Sequence, residues 1–221
     1  MHHIQAKILQ KLLYVQGSNY AGLRPDKVES NHFAYHLEQL LKVGLLEKHD
    51  KSYRLTATGL AYIDRLSQGR MTDRLQPHIV TAIDLTTPDG QTLLFKRSFQ
   101  PYLHLIGFPL GKMHYEEPIA DAAVRELNEK TGLTGIPLTH RGVVYIQAMQ
   151  GNATTGRVLY HVFHADVAEQ LPATAPAERG ECFWADHRSL APEQLMPGFL
   201  RVKELLAVND DLFFEEIAAQ I

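Results

Sequence analysis

Cysteine is almost absent: Cys182 is the only one in 221 residues. An internal disulfide is therefore impossible and a zinc site built from several thiolates is excluded, which fits a reducing, cytoplasmic setting. Long apolar runs are missing as well. The longest, Leu103 to Leu110, is broken by His104 and Pro109 and falls far short of the ~20 apolar residues that span a membrane. Met1-His2-His3 leads straight into a helical pattern, without the basic segment and apolar stretch of a secretory leader. The expectation is a cytoplasmic protein with no membrane partner. Neither internal repeats nor low-complexity tracts occur, and a hydrophobic share of 45% with a charged share of 21% is that of an ordinary globular chain with a packed core.

Net charge is small, −3, but unevenly spread. Residues 1–72 hold 10 Lys+Arg against 6 Asp+Glu, or +4, whereas residues 73–221 hold 12 against 19, or −7. Such a split points to different partners for the two parts. The length accommodates two domains, and the patterning divides them as residues 1–68, a polar Gly- and Pro-containing linker at 69–77, and residues 78–221.

In the first part, Ile4, Ile8, Leu9, Leu12 and Leu13 recur at helical spacing and predict a helix over 3–15, ending before Gly17. A short helix is expected at 20–23. Ser30 or Asn31 is a suitable N-cap for a third, with Phe33, Leu37, Leu40 and Leu41 as its apolar stripe and Gly44 as its stop. Residues 45–48 and 52–55 read as two short strands joined through His49-Asp50-Lys51. Thr56 or Thr58 then opens a fourth helix with Leu60, Ile63 and Leu66 inward. His32 and His36 have a spacing that suits a metal, but without a third ligand they read as surface or packing histidines.

The segments Phe33-Ala34-Tyr35-His36-Leu37, Leu40 to Leu46 and Tyr53 to Gly59 resemble the winged helix-turn-helix family, over residues 1–68. That resemblance implies a third helix in the DNA major groove and a hairpin at the backbone. Its DNA-contact candidates are Asn31, His32, Tyr35, Gln39 and Lys42 on the helix, and Lys48, Lys51 and Arg54 on the hairpin. Duplex DNA and a second copy of the chain, in a homodimer, are the implied partners. Pure dimerisation or protein docking is the alternative use of such a domain.

From His78 the pattern changes. Residues 79–85 and 91–97 read as strands of a hairpin around Pro88-Asp89-Gly90, followed by a helix over 119–131 and strands at 143–147, 158–165 and 181–184. Helical segments are expected at 199–208 and 212–219. His161 and His164, three apart on a strand, face opposite sides and do not form a pair.

On the 119–131 helix, Glu126 and Glu129 share a face, and position 130 lies on the same face. Carboxylates so grouped suit a hard divalent cation. Gly111, five residues, Glu117, seven residues, then Arg125-Glu126-Leu127-Asn128-Glu129-Lys130-Thr131-Gly132-Leu133 resembles the Nudix box, except that Lys130 stands where the family pattern has glutamate. The resemblance covers about residues 76–221 and implies an α/β Nudix fold, a mixed sheet sandwiched by helices. It implies Mg²⁺ or Mn²⁺, Glu126 and Glu129 as metal ligands or base, Arg125 as an orienting partner, Glu117 as a loop brace, and the Gly111 backbone facing the metal. Glu178, or else Glu116 or Glu181, is the candidate replacement for the lost carboxylate. Lys130 changes the local charge by two units and is placed to ion-pair with Glu126. Arg97 and Lys130 are the substrate-binding candidates, Arg97 meeting a phosphate while Tyr102 or His104 stacks on a base; strand-edge packing is the other reading of these residues.

Together these features imply a transcriptional regulator that binds DNA and senses a nucleoside-diphosphate-type ligand with weak or no hydrolysis. In regulators resembling this combination the Nudix domain usually comes first, whereas here it follows. The alternative is a Mg-dependent hydrolase of nucleoside diphosphate derivatives such as ADP-ribose or a nucleotide sugar.

Overall fold

In the computed structural model, which describes residues 1–67, 71, 73–174 and 179–220, the chain divides into units Met1–Leu75 and Gln76–Ile221. In the first unit, Ile4, Ile8, Leu9 and Leu12 form the buried stripe of α1 (His3–Leu12). This helix stops short of the expected residue 15: Tyr14 and Val15 are exposed, so no packing rewards extending it. β1 (Ser18–Asn19) and α2 (Tyr20–Leu23) lead to α3 (Ser30–Lys42), whose Phe33, Leu37 and Leu40 are buried. Its N-cap is Glu29, with no side-chain cap bond, rather than Ser30 or Asn31. Gly44, at φ +73°, turns the chain out of α3. β2 (Leu46–His49) and β3 (Ser52–Leu55) pair antiparallel, and β1 adds to β3, giving the order β1-β3-β2. Thr56 caps α4 (Ala57–Asp64) through Gly59 N–H. Leu60 is exposed, contrary to the expected inward stripe. Gly59 lies against the Leu45 carbonyl where a Cβ would clash, and this rotates Leu60 outward.

The second unit holds β4 (His78–Thr86), β5 (Thr92–Arg97), β6 (Ile106–Gly107), β7 (Leu110–Lys112), α5 (Ile119–Thr131), β8 (Thr139–Gln150), β9 (Ala153–Asp166), β10 (Gly180–Ala185), α6 (Phe199–Val208) and β11 (Phe213–Gln220). Its mixed sheet runs β10-β5-β4-β9-β8-β11, with β6 on β5 and β7 on β4. The expected β4/β5 hairpin is paired only at Thr86↔Thr92. Beyond that point β4 pairs with β9 and β7, and β5 with β10 and β6. Alternation along β4 sends Ile83 and Leu85 to Ala123 and Leu127 of α5 on one face, and Val80 and Ala82 to the layer of Phe199, Val202 and Leu205 of α6 on the other. Residues 212–219, expected to be helical, instead include β11, parallel to β8 from Phe213↔Gly142 to Gln220↔Met149. Among the described residues no helix is long and apolar enough to cross a membrane.

One charged group lies inside this core. Asp84 is 1% exposed and accepts from Lys203 Nζ at 2.9 Å and faces His164 Nδ1 at 2.9 Å. Lys203 also donates to Thr86 and Thr92. Burial alone would raise the Asp84 carboxyl, but the His164 hydrogen bond and the Lys203 charge outweigh it and hold it below its ordinary value.

Candidate functional site

α5 is the platform of the site. Pro118, extended at φ −62°, precedes its first turn, and Gly132, left-handed at φ +71°, ends it, with its N–H on Asn128 O. Arg125 ties this helix to the loop after β7. Its Nε donates to Glu117 Oε2 at 2.9 Å and its Nη2 to Glu117 Oε1 at 2.5 Å and to Lys112 O at 3.1 Å. Its Nη1 donates to Glu126 Oε1 at 2.7 Å and Glu129 Oε1 at 3.4 Å. Glu117 also accepts from His114 N–H. The Arg125 hydrogen bonds, chiefly, pull the Glu117 carboxyl down to about 2, and the pairing raises Arg125 in turn.

Glu126 is 5% exposed. Its carboxyl packs directly over Gly111, where any Cβ would fall inside it. Its Oε2 is buried without a hydrogen-bond partner and faces Lys130 Nζ at 3.7 Å. The Lys130 side chain is 12% exposed, with its ammonium 6.0 Å from the Phe95 ring. Glu129 Oε2 meets Arg179 Nη1 at 3.4 Å. A cleft of about 740 Å³ opens here, and Arg97, Tyr102, Gly111, Arg125, Glu126, Glu129 and Lys130 all line it. His104 does not, and Glu116 and Glu181 are exposed residues outside it. Glu178 lies outside the described residues, as do Gly69, Arg70 and Thr72 of the segment read as a linker.

Sequence reasoning missed Phe99, Lys112, Tyr160 and Arg179, which also line the cleft. Phe99 follows Arg97 by two residues in the bend after β5, where no strand period could have placed it, and the Arg97 guanidinium lies 3.9 Å from its ring centroid. The Arg97 Nε is buried with no partner. Burial lowers the Arg97 pKa, opposed by Tyr160 and Tyr102, and itself pushes the fully buried Tyr160 above its ordinary value.

Mg²⁺ demands near-octahedral oxygen coordination. All four carboxylate oxygens of Glu126 and Glu129 already face a cationic nitrogen, between 2.7 and 3.7 Å. Among the described residues no group of three or more His, Cys, Asp or Glu is arranged to hold a metal. The donor set of the described residues does not fit a resident divalent cation.

In the first unit, Asn31, His32, Tyr35 and Lys42 are exposed on α3 and Gln39 is half-buried; Lys48, Lys51 and Arg54 are exposed on β2, β3 and their turn. His36 stacks on His2, ring centroids 3.9 Å apart. His161 sits by His140 Nε2 at 3.3 Å, while His164 turns to Asp84 on the other face.

The NUDIX domain model matches residues 76–206. The chain is 30% identical over 117 residues to the isopentenyl-diphosphate Delta-isomerase of Cereibacter sphaeroides, covering 51% of this chain and 66% of that protein. It is 31% identical over 112 residues to the ADP-ribose pyrophosphatase of Methanocaldococcus jannaschii, covering 50% and 64%. The chain thus spans just under two-thirds of the length of these curated relatives. The NUDIX domain of Shewanella oneidensis NrtR, solved with ADP ribose, superposes with a TM-score of 0.52 at 19% identity over 69% of this chain and 97% of that one, a likeness of fold. With more than half of its length inside the match, this chain belongs to the NUDIX family.

Proposed function

We propose that this protein is a DNA-binding regulator whose Nudix domain senses a nucleoside-diphosphate-type ligand and hydrolyses it weakly or not at all. The observation that carries this reading is the pairing of the Glu126 and Glu129 carboxylates with cations: Lys130 and Arg125 face Glu126, and Arg125 and Arg179 face Glu129. A site so arranged retains a pocket for a ligand, while each carboxylate oxygen that a water-activating metal would use already faces a cation. The reading treats residues 1–68 as a winged helix and Lys130 as the family glutamate's replacement. Support for DNA binding comes from the charge of +4 on residues 1–72 and from the exposed side chains of α3 and the β2/β3 turn. A homodimer would present two such surfaces to successive half-sites.

Full-length protein titrated against a labelled pool of genomic fragments tests it. Binding should weaken with rising salt, by about 0.9 log–log units per phosphate neutralised, and ADP-ribose should shift it. No binding at low salt sinks the regulator. The alternative, a Mg- or Mn-dependent hydrolase, draws on the identity to the ADP-ribose pyrophosphatase, and requires Lys130 to leave Glu126. Brisk metal-dependent turnover of ADP-ribose, lost in Glu129→Gln and not improved in Lys130→Glu, would establish it instead.

A further inference from the structure

The cleft is short of negative charge rather than rich in it. Among the described residues, five cationic side chains line it, Arg97, Lys112, Arg125, Lys130 and Arg179, against the two carboxylates of Glu126 and Glu129. A divalent cation entering there would add charge of the sign already in excess and would have to displace a cationic partner from each carboxylate oxygen it used. A diphosphate brings the opposite sign and displaces nothing. Not all five cations are equally available to it. Arg125 is committed to Glu117, Glu126, Glu129 and the Lys112 carbonyl. Arg97 is not: its Nε is buried and unpartnered, although its guanidinium is fixed against Phe99. A buried donor without an acceptor is a rarity that an ordered water or a ligand atom resolves, and a guanidinium held in one plane is already organised for bidentate capture of phosphate oxygens. Lys130, mostly buried, has one carboxylate oxygen at 3.7 Å, beyond hydrogen-bond length, and keeps ammonium protons to donate. Arg179 makes a single long contact to Glu129.

We infer that this cleft binds a diphosphate directly through Arg97, Lys130 and Arg179, with no divalent cation between protein and ligand. The inference rests on the ligand-sensing reading above and adds how the ligand is held. It makes the burial of Arg97 intelligible: the charge that burial penalises is matched on binding.

The test is calorimetric titration of the full chain with ADP-ribose and, separately, with inorganic pyrophosphate, each in excess EDTA and in excess Mg²⁺. ADP-ribose is expected to bind in EDTA with a Kd no weaker than in Mg²⁺. Arg97→Gln and Lys130→Gln should each weaken binding in EDTA by about tenfold or more, with the fold of each variant checked by the fluorescence of Trp184, the only tryptophan. Lys130→Glu should make binding depend on Mg²⁺. Pyrophosphate binding alone, with the same two variants sensitive, supports the inference and assigns the diphosphate to an inorganic source. Binding that appears only with Mg²⁺ overturns it while leaving a ligand-sensing domain intact. Binding in EDTA indifferent to both glutamine variants overturns the assignment of these residues. No heat with either ligand under either condition overturns the inference and the sensor reading together.

Discussion

Lys203→Met isolates the energetic contribution of the charge network at the far end of β4. Methionine keeps most of the lysine stem, so little packing is lost. What disappears is the 2.9 Å bond to Asp84 and the two donations to Thr86 and Thr92. Asp84, 1% exposed, is then left with His164 and the Thr86 hydroxyl, which donates to its Oδ2 at 3.2 Å. Removing one member of a buried pair costs about 3–5 kcal/mol, against ~0–1 kcal/mol for an exposed pair. That is a large part of the ~5–15 kcal/mol that holds a domain together. Urea unfolding followed by Trp184 fluorescence reads the C-terminal unit alone, because no other tryptophan exists. The pH dependence carries a second signature. In the wild type the Asp84 carboxyl is held below its ordinary value. Its contribution is therefore present above the unfolded pKa of about 3.9 and lost as pH falls through the lower folded value. Without the ammonium, burial is opposed chiefly by the His164 hydrogen bond, so the carboxyl rises from its wild-type value and the variant's deficit narrows as pH falls. Asp84→Asn combined with Lys203→Met should restore much of the loss, since no uncompensated charge remains. A loss below about 1 kcal/mol at neutral pH, or a deficit that does not narrow on acidification, refutes the reasoning.

Gly111→Ala places a Cβ inside the Glu126 carboxyl, so ADP-ribose binding should vanish and the thermal midpoint should fall; unchanged values of both would contradict the packing described. The Glu117 carboxyl should titrate near 2, pulled down chiefly by Arg125, so its ion pair persists above the ordinary ~4.3 and is lost only as pH falls toward that lower value. A carboxyl resonance titrating at the ordinary position would show that Arg125 does not hold the loop. Lys51→Glu with Arg54→Glu should weaken DNA binding across sequences and flatten the salt slope by about 0.9 for each phosphate no longer neutralised. An unaltered slope would remove the β2/β3 turn from the interface.

How much of this was legible in the sequence depended on whether the signal was local. The helix at 119–131 was readable because a 3.6-residue period, a charged face and a glycine stop all act within one segment. The shared face of Glu126, Glu129 and Lys130 followed from the same period, and the three meet in one cleft. β11 misled because Phe213 and Ile217 are four apart, a spacing compatible with either a helical stripe or alternate strand positions, while its Glu and Ala residues favour helix. Pairing with β8 decided the outcome. Strands of two or three residues, β1, β6 and β7, are too short to show any period. Asp84 gave no warning, since its lysine partner lies 119 positions away. Arg179 and Tyr160 reached the cleft from separate strands or turns for the same reason.

β11 falls after the matched span of 76–206, and that has a practical side. A fragment trimmed to those limits would lose the strand that covers the outer edge of β8, a twelve-residue strand. It would also lose Phe213, which seats its ring against Gly142, and Glu215, which Arg201 of α6 grips with two hydrogen bonds of 2.6 and 2.7 Å. The uncovered β8 would present a row of unpaired amides and carbonyls with alternating apolar side chains, the template on which chains stack into aggregates. In the full fold, β11 takes over as the boundary of the sheet with Glu215 and Glu216 along it, charges that oppose the stacking of one copy on the next. The strand acts as a gatekeeper of solubility, and trimmed Nudix fragments of this chain should precipitate where the longer chain stays in solution.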